Sequence, residues 1–160
     1  MDSDRSTHRH SAEAVAWSDD GGLVAISYTD SVSVLAAATG ATLYDVPLPS
    51  EGFGPRMCIL RVAVNNRGEC AVLAGKYERL PGAGSIDDIV EPEILLFDEQ
   101  GQLAGQHQFA RRRSTWSERR GSNVRPGRQP KGLRPDVDLS IGDSALTVRV
   151  AADAYRLSLD

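Results

Sequence analysis

Apolar and polar residues alternate in short runs along most of the chain, and clusters of Gly, Asp, Asn, Ser or Pro separate the runs. A period of two indicates β-strands with one packed face, because successive side chains of a strand point to opposite sides. The clusters favour chain reversal, since glycine adopts positive φ freely and Asp or Asn binds nearby backbone. The pattern predicts an all-β protein with short strands at residues 14–17, 23–28, 32–36, 42–46, 59–64, 70–74, 93–97, 103–109, 137–141, 146–150 and 155–159.

The predicted strands fall into three units that repeat the same order of strand, polar turn and apolar strand. The first two units hold four strands each and the third holds three. Inside the second unit, residues 76–92 read as a longer insertion in a loop between strands, since Pro81 and Gly82 stand at its turn. Repetition of a four-stranded unit is the mark of a repeat architecture.

The repeated unit resembles the blades of WD-repeat and related β-propellers. The resemblance is carried in the first unit by residues 17–25, 30–35 and 39–40, and in the second by residues 64–68, 94–98 and Gly101, with Phe97-Asp98 where the family's Trp-Asp pair falls. A third match covers residues 139–146 and 157–160. The resemblance implies three antiparallel blade-like sheets, a partial β-propeller of 4+4+3 strands that another chain can complete.

Three blades do not make an ordinary closed ring, because propellers use about four to eight. Either two chains pair, or a partner completes the ring, or the sheets pack as an open stack. The third sheet is expected to expose unpaired backbone groups at its edge, which proteins normally cover. A strand from residues 1–11, which read as a loose arm, or from another chain by β-augmentation would cover it. Residues 12–160 are expected to form one domain.

Composition places the chain among ordinary globular proteins, with 41% hydrophobic and 25% charged residues in 160. We expect a cytoplasmic protein with no membrane partner, because no uncharged run is long enough for a bilayer span and the first ten residues lack a signal-peptide core. The two cysteines, Cys58 and Cys70, are expected to be ordinary thiols in or beside strands, and a bridge between them is the less favoured alternative.

Positive charge is concentrated in an insertion at residues 111–135. Nine basic residues face one acid, Glu118, which leaves a net charge of +8 there and −12 on the rest of the chain. The candidate binding residues are these basic side chains and one aromatic ring that can stack on a base: Arg111, Arg112, Arg113, Trp116, Arg119, Arg120, Arg125, Arg128, Lys131 and Arg134. Such a segment faces an acidic protein surface, a nucleic acid or solvent. A protein surface or solvent is slightly favoured over a nucleic acid.

No catalytic or metal constellation emerges from the residue order. His8 and His10 lack further ligands, and His107 lies among glutamines on a predicted outer strand with nothing nearby to orient it. The acidic residues Asp87, Asp88, Glu91 and Glu93 lack the ligand spacing of a Ca²⁺ loop. We therefore expect no enzyme, no metal and no cofactor.

The sequence thus favours a non-catalytic protein-interaction module or accessory subunit. It would dock on another protein subunit or on a second copy of itself through an open sheet edge and the basic insertion. The alternative is an accessory subunit that binds nucleic acid through Arg111 to Arg134.

Overall fold

Every regular element in the described part of the chain is a β-strand. The computed structural model describes residues 14–28, 31–48, 56–79, 88–110, 112–114, 137–150 and 152–159. The strands are β1 (Ala14–Trp17), β2 (Leu23–Ser27), β3 (Ser31–Ala36), β4 (Thr42–Pro47), β5 (Arg56–Val64), β6 (Cys70–Arg79), β7 (Asp88–Phe97), β8 (Leu103–Gln108), β9 (Arg112–Ser114), β10 (Val137–Ile141), β11 (Ala145–Val150) and β12 (Asp153–Ser158). This confirms the all-β prediction.

The strands form three antiparallel sheets in which each strand pairs with the next along the chain. The first sheet has the order β1-β2-β3-β4, the second β5-β6-β7-β8 and the third β10-β11-β12. The predicted tally of four, four and three is therefore confirmed. The short strand β9 adds to it by pairing with the first residues of β7.

The second sheet extends further than the sequence suggested. Residues 76–79 of β6 pair with residues 88–91 of β7, from Lys76↔Glu91 to Arg79↔Asp88, so the prediction of a loop throughout 76–92 is wrong at both ends. Charged residues at 76, 78 and 79 hid the strand period, while backbone pairing with β5 and β9 continues the ladders through these parts of β6 and β7. Residues 80–87, which hold the predicted Pro-Gly turn, lie outside the described residues.

One turn design recurs between the strands. At three turns the N–H of a positive-φ glycine donates to the backbone carbonyl three residues earlier: Gly21 to Ser18, Gly68 to Asn65 and Gly101 to Asp98. In each turn the earlier residue's own side chain closes the loop. Asp98 Oδ1, for example, accepts from the backbone N–H of residues 100 and 102 at 2.9 and 2.8 Å. Asn65 and Asp98 thus form Asx-type turns, whereas in the first turn Ser18 Oγ accepts from the Leu23 N–H at 3.0 Å.

Three equivalent hairpin turns lie at the same end of the molecule and are hydrogen-bonded in series. Between the first and second sheets, the Asp20 N–H donates to Asn66 Oδ1 at 3.0 Å. Between the second and third, Asn65 Nδ2 donates to the carbonyl of Gly142 at 3.1 Å, and Arg67 donates to the carbonyl of Asp143. These bonds hold successive sheets in one orientation at that end.

Two apolar cores fill the spaces between the sheets. The first lies between the first and second sheets and is formed by Ala25, Val32, Val34, Tyr44, Val46, Leu48, Ile59, Val62, Val64, Cys70, Val72, Leu95 and Phe97. The second lies between the second and third sheets and is formed by Ala71, Leu73, Ile94, Leu96, Phe109, Val137, Ile141, Leu146, Val148 and Val150. The second sheet is therefore packed on both faces, which explains its nearly continuous apolar strands.

Cys70 belongs to the first core as a free, fully buried thiol, which agrees with the prediction for this residue. Burial raises its pKa to about 12, because the thiolate would be desolvated there. Cys58 lies in β5, as expected for a cysteine in a strand.

Candidate interaction surface

The third sheet ends at β12, which pairs with β11 from Ala145↔Ser158 to Val150↔Asp153. Among the described residues, β12 has no other neighbouring strand. The expected open border of the third sheet is thus present in the part of the chain that the structure describes.

The register shows which backbone groups of β12 point away from the sheet. The Leu159 N–H donates to the Ser144 carbonyl at 3.0 Å, so residues 159 and 144 form a hydrogen-bonded pair. Hydrogen-bonded and non-hydrogen-bonded pairs alternate along an antiparallel ladder. The N–H and C=O groups of Ala154, Arg156 and Ser158 therefore point outward, in the spacing that an added strand needs.

Aromatic stacking holds the inner side of β12 against the second sheet. The Tyr155 ring lies parallel to the His107 ring, with centroids 4.0 Å apart and an angle of 6°. His107 in turn meets the Phe109 ring edge-on at 5.0 Å. The sequence placed His107 correctly on an outer strand but missed its stacking partner, because Tyr155 comes from another unit 48 positions away.

The third sheet's face away from the second sheet is polar. Its residues include Asp138, Ser140, Thr147 and Arg156, all exposed, and Arg149, whose guanidinium forms an ion pair with Asp138. This composition suits contact with water rather than with a further apolar sheet.

The basic insertion begins in a strand, which corrects the description of residues 111–134 as a loop. The backbone of Arg112–Ser114 forms β9, with Arg112↔Val90, Arg113↔Ile89 and Ser114↔Asp88 as paired positions. The insertion therefore leaves from the extended end of the second sheet and returns to β10 of the third. The remaining candidates lie outside the described residues: Arg111, Trp116, Arg119, Arg120, Arg125, Arg128, Lys131 and Arg134.

Three acidic residues of the sequence analysis lie on one strand near this end, and Asp87 lies outside the described residues. Asp88, Glu91 and Glu93 all belong to β7, and the buried Glu93 accepts a hydrogen bond from Gln106 Nε2 at 2.9 Å. Within the described ranges, no group of three or more His, Cys, Asp or Glu residues is placed to hold a metal ion.

The architecture is that of β-propeller blades: consecutive antiparallel meanders of four, four and three strands, stacked face to face. Over the same described residues, no helix has the length and apolar character that a membrane crossing requires.

Comparison with solved structures supports this class of fold. The chain is similar to the propeller protein Hsv2 from Kluyveromyces lactis in a form with loop 6CD replaced by a Gly-Ser linker (TM-score 0.58, 14% identity, 96% of this chain and 41% of that chain). It is also similar to Hsv2 with the complete loop 6CD (TM-score 0.55, 12% identity, 96% and 44%). A third similar structure is the WD40 domain of Toxoplasma gondii coronin (TM-score 0.45, 11% identity, 93% and 32%).

The chain spans less than half the length of these solved structures. No protein-family profile matches the sequence, and no curated protein matches it. The similarity therefore defines the fold of three propeller-type blades and leaves the activity to be argued from the surface.

Proposed function

We propose that the protein is a non-catalytic protein-interaction module or accessory subunit that binds a partner strand at the β12 edge. The observation that carries this proposal is the outward row of N–H and C=O groups at Ala154, Arg156 and Ser158. An added strand gains main-chain hydrogen bonds there, and its alternate side chains give specificity. Propeller and WD40 domains commonly mediate protein interactions, which supports the same class of function.

The partner would be another protein subunit or a second copy of the chain, and the basic insertion would contribute a second contact. The insertion starts beside the acidic strand β7 of the second sheet and ends at β10 of the third sheet. It therefore connects the sheet that contains β12 with the sheet on which that sheet packs. Its arginines would meet acidic groups of the partner. We further propose that residues 12–160 form a single domain and that the protein is cytoplasmic. In this proposal it uses no metal, cofactor or membrane partner.

Arg156→Pro tests the edge directly. Proline removes the outward N–H of residue 156 without removing a β11–β12 ladder bond, because proline is tolerated at edge positions whose N–H faces solvent. We expect at least a tenfold loss of affinity for a protein partner captured from native lysate and then purified. Arg156→Thr is the matched control, since it removes the same side-chain charge and keeps the N–H. Equal binding by the proline variant and the wild type would refute docking at this edge.

Nucleic-acid binding by the basic insertion is the alternative function, favoured by the +8 charge concentrated in residues 111–134. Fluorescence anisotropy with a single-stranded oligonucleotide at several salt concentrations distinguishes the two. If the insertion neutralises phosphates, the Arg111→Ala, Arg112→Ala, Arg113→Ala triple variant should reduce the slope of log affinity against log salt concentration by about 2, because each phosphate contact on a single strand contributes about 0.7. An unchanged slope would remove this alternative.

A further inference from the structure

The two faces of β12 differ in chemistry, and an added strand would continue both of them. Tyr155 and Leu157 face the second sheet, where they pack against the second core. Arg156 lies between them on the opposite, polar face and is exposed. Side chains at paired positions of neighbouring strands lie on the same face of a sheet. The side chains of a partner strand, which rests on the strand addition proposed above, are therefore constrained by these three residues.

Arg156 is a cation without a counter-charge on the polar face. Register places Ser140, Thr147 and Arg156 in one row across the third sheet. In the next row Arg149 donates two N–H groups to Asp138, and all these side chains line an open groove. Within the described ranges, Arg156 itself forms no ion pair. A carboxylate supplied by a partner would neutralise it.

The position opposite Arg156 in an added strand is well placed for such a carboxylate. The N–H and C=O groups of Arg156 point outward, so the residue opposite it in an antiparallel strand exchanges two backbone hydrogen bonds with it. The side chain of that residue then lies on the polar face, with its Cβ about 5 Å from that of Arg156. Asp or Glu there can reach the guanidinium, which binds carboxylates well, whereas Lys or Arg would be repelled.

The positions opposite Tyr155 and Leu157 call for apolar side chains. Both residues are half-buried: the Tyr155 ring stacks on His107 at 4.0 Å, and Leu157 Cδ2 would lie 3.4 Å from a Cβ added at Gly105. The partner residues opposite them belong to non-hydrogen-bonded pairs, in which side chains approach most closely. Apolar side chains there would cover the parts of the tyrosine ring and the leucine that are still exposed to water.

A second copy of the chain does not meet these requirements. In the antiparallel registers that keep most of β12 in the ladder, the two copies of Arg156 lie directly opposite or diagonal to each other on the polar face. Like charges at such positions destabilise strand pairing, and a charged side chain is one means by which edge strands avoid pairing with their own kind. Arg156 thus disfavours self-pairing and favours an acidic strand from another protein.

We propose that the partner is another protein that adds an antiparallel strand to β12 with an acidic residue opposite Arg156. Apolar residues opposite Tyr155 and Leu157 flank this acidic residue. The backbone hydrogen bonds supply attachment, and the apolar-acidic-apolar order supplies specificity.

Fluorescence polarisation with three labelled peptides tests this partner. Each peptide has the sequence Ser-Thr-Val-X-Val-Thr-Ser, where X is Glu, Thr or Lys, and is titrated with the whole chain up to about 1 mM. The wild type should bind the Glu peptide about three- to tenfold more tightly than the Lys peptide, with the Thr peptide between them. In about 1 M salt this preference should largely disappear while binding persists, because screening weakens exposed charge pairs.

Three variants at residue 156 separate the effect of charge from the effect of the backbone edge. Arg156→Glu should reverse the order of the peptides, and Arg156→Thr should bring the Glu and Lys peptides within about twofold of each other. Arg156→Pro should lose at least about tenfold of affinity for all three peptides, because it removes the outward N–H. Circular dichroism checks that each variant keeps its fold.

The outcomes distinguish a wrong partner from a wrong docking site. Equal binding of the Glu and Lys peptides to the wild type, or an unchanged order with Arg156→Glu, would overturn the acidic partner, although a loss of all three with Arg156→Pro would still support docking at the edge. Binding of no peptide, or wild-type binding by Arg156→Pro, would overturn the strand addition and the acidic partner with it. Sedimentation equilibrium of the wild type should give 17.2 kDa. A larger mass that Arg156→Pro abolishes would show a second copy at the edge and would also overturn the proposal.

Discussion

Two glycine-to-alanine variants separate backbone strain from packing in this fold. Gly101 and Gly40 both occupy turns with positive φ, 81° and 71°. A Cβ added at Gly40 would have no heavy atom within 4 Å, whereas at Gly101 it would lie 2.7 Å from Tyr44 Cδ2 and 3.0 Å from Tyr44 Cγ. The two positions thus share the backbone cost and differ in the contact with one ring.

The Tyr44 ring has little freedom to move away from the new methyl group. It is 8% exposed in the first core, and its hydroxyl donates to the Gly68 carbonyl at 2.5 Å. Positive φ costs an L-residue about 1–2 kcal/mol, and the stiffer unfolded chain offsets about 0.4–1 kcal/mol of that. We therefore expect Gly40→Ala to lower the free energy of unfolding by about 1 kcal/mol. Overpacking against Tyr44 adds about 1–3 kcal/mol, which gives about 2–4 kcal/mol for Gly101→Ala.

Urea unfolding followed by circular dichroism measures both values, and equal m-values in the two variants justify the comparison. The reasoning depends on the difference between the variants, since the shared backbone term cancels. If Gly101→Ala and Gly40→Ala are destabilised equally within about 0.5 kcal/mol, the Tyr44 ring yields to the methyl group, and the reasoning that its burial and hydrogen bond hold it in place is refuted.

Four further predictions concern buried or turn groups. Asn65→Ala should cost about 2–4 kcal/mol of unfolding free energy, because the buried amide makes four hydrogen bonds, whereas the exposed Asn66→Ala should cost under 1 kcal/mol; urea unfolding checks both. Tyr44→Phe should cost about 1–3 kcal/mol, because it leaves a buried carbonyl without its donor. In a Cys58→Ser background, the Cys70 thiol should react with Ellman's reagent at pH 8 roughly a thousandfold more slowly in the folded protein than in urea. The stability that the buried, protonated thiol contributes is present below pH 9 and should be lost as the pH rises towards 12. Hydrogen bonds from Gly22 and Ser18 lower the pKa of Asp20, so Asp20→Asn should reduce the loss of stability as the pH falls below about 4. An unchanged acid midpoint in Asp20→Asn would contradict this expectation. Fast labelling of Cys70 in the folded protein would contradict the preceding one.

Strand positions and the repeat were predictable because they depend on local pattern. The alternation Val-Asp-Leu-Ser-Ile in β10 and the Gly-containing turns at 21, 68 and 101 appear in the structure where the sequence put them. Even the tally of strands per sheet follows, since each polar cluster reverses the chain once.

The local pattern did not predict the extension of strands in the second sheet or the contacts between residues far apart in the sequence. Residues 76–79 and 112–114 join the second sheet through backbone pairing, which leaves no trace in the order of apolar and polar side chains. The stack of His107 on Tyr155 joins two units, and the bond from Asn65 to Gly142 joins two turns 77 positions apart. Such contacts depend on how the sheets are oriented, which one sequence does not state.

The polarity of the sheet faces nevertheless differs between the first two sheets and the third. In the first and second sheets, strands such as Leu-Val-Ala-Ile in β2 put apolar side chains on both faces. In the third sheet, β11 alternates Leu146 and Val148 with Thr147 and Arg149, so one face is apolar and the other polar. The polar face of the third sheet therefore suits contact with water rather than with a further apolar sheet. Among the described residues, the third sheet therefore presents a partner with the backbone edge of β12 and a polar outer face, which suits the strand addition proposed above.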